Sequence, residues 1–165
     1  YESALRLADT PYVDAEEDVA KITLLLARLD AMAGEPAAAR ETLDAIAGAF
    51  ADYLDQPEAW VYHHAVAALA LTEQRWADAL DATARARAQA LAGRGVSNAR
   101  LVLMGYERAL ALVGQAREGV DGASEAVEAM REAYDGLVRW AGATHPLAMA
   151  ARHELIALGA VPPRR

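Results

Sequence analysis

The chain has 165 residues, 55% of them apolar and 24% charged, with a net charge of −8 and no cysteine. That size and mix suit one domain with a real core and exclude general disorder, while the missing thiols exclude disulfides and thiolate metal sites and fit a reducing, cytoplasmic setting. The acidic balance argues against a nucleic-acid partner, and the longest apolar run, Ala65 to Leu71, is too short to cross a membrane.

Strand signals are nearly absent, and glycine and proline punctuate Ala- and Leu-rich segments of helical length, which predicts an all-α protein. Residues 1–13 read as the end of an upstream helix or repeat, with Leu5 and Ala8 of "YESALRLA" on one face, and a start at Tyr1 reads as a piece of a longer protein. A first helix is expected from Asp14 to Ala33, its opening acids suited to the positive end of the helix dipole. "GEP" ends it, and Pro36 suits the first turn of a second helix reaching Tyr53. A third is expected over Glu58 to Thr72, a fourth over Trp76 to Leu91, and a fifth over Asn98 to Val113. Gly114 is the expected next turn, followed by a sixth helix to Trp140, in which Gly119 and Gly122 carry a propensity cost. "THP" starts a seventh over Pro146 to Leu158, and residues 159–165 read as a tail.

The turns share an interval. Gly34, Gln74 and Gly114 stand 40 residues apart, as do Ala39, Ala79 and Gly119, and Leu26, Val66 and Tyr106. A fixed step linking turn, small and apolar positions is the mark of a repeat. Small residues recur where two helices of a hairpin cross closely.

These residues carry a resemblance to the tetratricopeptide repeat family. "GEPAAARETL" from Gly34 and "EQRWADALDAT" from Glu73 resemble that family's turn and second helix, with Trp76 in the aromatic place. The first helices depart from the pattern at Asp30 and Glu107, and the step is longer than the family's usual one. "AGATHPLAMAARHEL", residues 141–155, resembles the His-Pro element of kinesin-light-chain-like repeats, which recur in bacterial Ser/Thr kinases and transcription regulators. The resemblance implies a right-handed superhelix of three antiparallel hairpins plus a terminal helix over residues 14–158. It also implies a protein or peptide interaction module within a larger bacterial signalling protein.

No catalytic constellation stands out. Adjacent helical residues diverge by about 100°, so His63 and His64 do not share a metal, and no histidine pair has the four-residue spacing that a helix needs for one. His63 is expected to pack within a hairpin and His145 to cap a helix, while His153 and Glu154 diverge as neighbours. With no phosphate loop, nucleophile elbow or triad, the chain reads as a binding protein rather than an enzyme, without metal or cofactor.

The 40-residue register assigns a concave groove to the first helices. It takes Lys21, Leu24, Arg28 and Met32 from the first repeat, His64, Ala68 and Leu71 from the second, and Leu101, Met104, Arg108 and Leu112 from the third. An apolar floor with Arg28 and Arg108 at its flanks suits an acidic-apolar peptide. The family's carboxylate clamp is missing, since Asn98 is the only asparagine. The alternative is an oligomerisation or effector-sensing domain, in which the array's ends, at Leu5 or Leu155, make a homo-oligomer.

Overall fold

The Ala- and Leu-rich segments do form helices. A computed structural model describes residues 15–49, 54, 56–93 and 96–160, with 15–18 and 58 described by their backbone alone. The described residues contain no strand: α1 spans Ala15–Met32, α2 Pro36–Ala49, α3 Trp60–Thr72, α4 Trp76–Ala92, α5 Asn98–Arg117, α6 Ala123–Ala141 and α7 Pro146–Ala157. A 3-10 turn, Pro57–Ala59, leads into α3. None of these helices is long and apolar enough to cross a membrane. The expected upstream helix with Leu5 and Ala8, the end of α2 beyond Ala49 and most of the tail lie outside the described residues.

Consecutive helices pair as α1 with α2, α3 with α4 and α5 with α6, and α7 lies on α6. One turn type closes each hairpin. After α1, Gly34 takes φ +85° and Glu35 N–H donates to the Asp30 carbonyl at 2.9 Å. After α3, Gln74 takes φ +57° and Arg75 N–H donates to the Ala70 carbonyl at 2.8 Å. Each left-handed residue satisfies carbonyls that the ending helix would otherwise leave bare. Ala39 and Ala79, five residues beyond these turns, are both fully buried, so they are equivalent small residues under their hairpins.

The third hairpin departs from the register. Its turn lies at Gly119, φ +83°, where Val120 N–H donates to the Gln115 carbonyl at 3.1 Å. The step from Gln74 to Gly119 is thus 45 residues, not 40. Gly114 is not the turn: it is buried within α5, where Trp76 fills the place of its missing side chain. Gly119 and Gly122 are not helical either; both have positive φ in the linker to α6, which accounts for glycine at each. The small buried residues of α6 are Ala126, Ala129, Ala133 and Gly136, and Gly119 is not among them.

Packing is uneven along the stack. Leu24, Leu43, Ile46 and Leu69 anchor one core among α1, α2 and α3, and Val113, Met130, Leu137 and Leu155 anchor another among α5, α6 and α7. Between them α4 buries a ridge of Ala79, Ala82, Ala86 and Ala90. With so little side chain on that ridge, α4 can approach both α3 and α5 closely. The two junctions also differ, because α1 rests mainly on α3 whereas α4, not α3, carries most of the contact with α5.

Candidate binding groove

The surface expected from the first helices is largely closed. Leu24, Met104 and Leu112 are buried in the core, and His64 is only 3% exposed. Arg28 does not stand free as a flank: its Nη2 donates to Glu107 Oε1 at 2.6 Å, joining α1 to α5. His64 Nε2 comes within 2.9 Å of Glu107 Oε2, near enough for an ion pair but without hydrogen-bond geometry. Those two atoms and Arg28 Nε are therefore buried with unused hydrogen-bonding capacity. Glu107, Arg28 and His64 form a polar lock across α5, α1 and α3. Ala68 is buried and Leu71 half-buried, Lys21 is partly exposed, and Met32 projects outward at 58% exposure.

Arg108 parts from Arg28 because of the longer third hairpin. Counted back from the turns, Arg28 corresponds to Val113, and five residues turn a helix by about 140° beyond one full revolution. Arg108 accordingly faces another side, where its Nη2 donates to Glu125 Oε1 of α6 at 2.7 Å.

That side holds an open groove of about 1030 Å³ with α5 as its floor and α4 and α6 as its walls. Asn98, Leu101, Val102, Met104, Gly105 and Arg108 line the floor. From α4 come Thr83, Ala84, Arg87, Ala88 and Leu91, and from α6 come Ala129, Glu132, Ala133, Gly136, Arg139 and Trp140. Leu91 and Trp140, at 59% and 43% exposure, leave two large apolar groups at the rim. Trp140 is steadied by His145, whose ring centre lies 5.5 Å from it. His145 in turn caps α7, its Nδ1 accepting from Leu147 N–H at 3.3 Å.

Charge in the groove runs against that of the chain. Arg87, Arg108 and Arg139 oppose only Glu132, in a molecule of net charge −8. Arg87 and Arg139 make no ion pair with any described residue, as Arg100, Arg131 and Arg152 also make none, whereas Arg28, Arg40, Arg75, Arg85, Arg108 and Arg117 all do. Of the residues the sequence marked for a groove, this one gathers Leu101, Met104 and Arg108 and leaves out the rest. It adds Arg87, Leu91, Arg139, Trp140 and Gly105, which the register passed over. The four-residue spacing of Arg87 and Leu91 was a usable sign of a shared face.

Among the described residues no group of three or more His, Cys, Asp or Glu side chains is placed to hold a metal ion. His63 is half-buried with its ring edge-on to Tyr62, 5.3 Å between centres. No protein-family model, curated protein or solved structure matches the chain.

Proposed function

We propose that this chain is a protein- or peptide-binding module built on tetratricopeptide-like hairpins, and that its working surface is the groove over α5. The observation that carries the reading is that Arg87 of α4 and Arg139 of α6, neither in an ion pair with a described residue, line the two walls of one groove with an apolar floor in an acidic chain. Building like charges into one open cleft is unfavourable unless an opposite charge comes to meet them. The partner is an acidic-apolar segment, and the setting that the sequence resemblance suggests is a larger cytoplasmic signalling or regulatory protein of bacteria. The test is selection from a displayed random-peptide library, with an Arg87→Glu, Arg139→Glu variant as counter-target. Both arginines are exposed, so the variant should fold normally. Selected peptides should be acidic, bind the variant at least about tenfold more weakly, and lose affinity as salt rises. Peptides indifferent to both would remove the reading.

A second reading, self-association, has its own observation: Leu26, Leu29 and Met32 are exposed on α1. It does not act through Leu155, which is fully buried, and Leu5 lies outside the described residues. Sedimentation of the wild type against a Leu29→Glu, Met32→Glu variant decides it; a monomer in both cases ends it.

A further inference from the structure

We infer that the occupant of this groove is a single amphipathic α-helix of the partner, seated with its backbone close over Gly105 and acidic side chains toward Arg87 and Arg139. The inference rests on the proposed binding role and specifies the shape of the ligand. Its first support is Gly105 itself. Glycine inside a helix is unfavourable relative to alanine, and two other glycines of α5 and α6 have reasons within the chain. At Gly114 a β-carbon would strike Trp76, and at Gly136 it would touch Val102 at 3.5 Å. At Gly105 nothing stands within 4 Å, although the position is half-buried. Gly48 shares the open space, but it is exposed and next to the last residue of α2. A bare backbone at the bottom of a groove lets another backbone approach.

The second support is what the floor lacks. Between Asn98 and Arg108 the floor offers no polar side chain, since Leu101, Val102, Met104 and Gly105 are apolar, and the backbone groups of α5 are engaged within the helix. Thr83, the hydroxyl nearest the floor on α4, already donates to the Ala79 carbonyl at 2.6 Å. An extended peptide laid over that apolar stretch would bury backbone N–H and C=O groups with no floor side chain beneath to pair them, which is costly. A helix arrives with those groups satisfied and needs only an apolar stripe. The arginines on the walls then select for acids along the stripe's margins.

The probe is a displayed library of random peptides of about 16 residues, roughly four helical turns. Enriched sequences should carry apolar residues three and four apart with Asp or Glu beside them. A synthetic binder should gain helical circular dichroism on mixing with the protein, and a central proline should weaken it at least tenfold. Gly105→Phe, which projects into open space, should keep the native unfolding profile and weaken binding at least tenfold; Gly105→Ala should raise Tm and weaken binding less. Ala88→Trp blocks the groove from the opposite wall and serves if Gly105→Phe does not fold. Binders stopped by these variants that stay non-helical would overturn the helix while leaving the groove's function standing. Binders indifferent to both blocking variants, or no binders at all, would overturn both.

Discussion

The indole of Trp76 occupies the space where Gly114 would carry a side chain: a β-carbon there would overlap the ring at Trp76 Cδ2. The contact joins α4 to α5, and Trp76 Nε1 also donates to Glu118 Oε1 at 2.6 Å, fixing the ring's direction. Gly114→Ala should therefore destabilise by about 1–3 kcal/mol, the range for overpacking, although alanine improves helix propensity by roughly 1 kcal/mol. Adding Trp76→Leu should make the two changes non-additive by on the order of 1 kcal/mol, since each relieves what the other disturbs. Urea unfolding of the four proteins measures it, and simple additivity would show that the two residues do not share this space.

Gln74 makes the opposite kind of prediction. It holds φ +57° where the equivalent residue of the first hairpin is Gly34. A left-handed conformation costs a side-chain-bearing residue roughly 1–2 kcal/mol, and glycine's greater freedom in the unfolded chain returns about 0.4–1 kcal/mol of that. Gln74→Gly should stabilise by about 0.5–1 kcal/mol, which calorimetry would register as a small rise in Tm. A fall in Tm would mean that the exposed Gln74 side chain makes contacts that outweigh the strain.

Helix existence was legible in the sequence because it depends on local signals. Pro36, Trp76, Asn98 and Pro146 open the helices where their propensities and neighbouring turns suggest. The first two turns were legible for the same reason. The third was misread because Gly114 has the right identity at the right interval, and glycine serves both tight turns and close approaches. Only the position of Trp76 in space distinguishes those uses. The groove was read only in part: Leu101, Met104 and Arg108 of α5 do line it, but the 40-residue register joined them to residues of α1 and α3, whereas the walls come from α4 and α6. Glu107 and Arg28 are 79 residues apart in sequence, and no local pattern announces that they meet.

Two tyrosines predict how stability responds to alkali. Burial raises the Tyr106 phenol above its ordinary value of 10.0, with the charge of Glu154 adding to the effect, and burial followed by Asp44 does the same at Tyr62. In the unfolded chain these phenols ionise near pH 10, so above that pH the folded protein holds more protons than the unfolded one. Stability from both groups is fully present below about pH 10 and declines as pH rises through the folded values. Guanidinium midpoints taken from pH 8 to pH 11.5, roughly the span around the phenol's ordinary value, should be level at first and then fall. The fall should be shallower in Tyr106→Phe and Tyr62→Phe. Identical slopes in all three proteins would assign the alkaline loss to other groups.

The lock formed by Glu107, Arg28 and His64 ties the first hairpin to the third and can be tested by breaking it in two ways. Glu107→Ala leaves the Arg28 guanidinium, 16% exposed, without its counter-charge. Removing one partner of a buried ion pair costs about 3–5 kcal/mol, and the partial exposure of Arg28 puts the expected loss near the lower figure. Replacing all three groups together, as Arg28→Met, His64→Leu and Glu107→Leu, removes every buried charge at once. That variant should be near neutral or more stable than the wild type, because the desolvation cost disappears along with the pairing. Hydrogen exchange adds a spatial readout: in Glu107→Ala the amides of α1 should lose protection before those of α6 and α7, whose core does not depend on the lock. A Glu107→Ala protein within about 0.5 kcal/mol of wild type, the range of an ordinary surface change, would show that α1 is held by its apolar contacts with α2 and α3 alone.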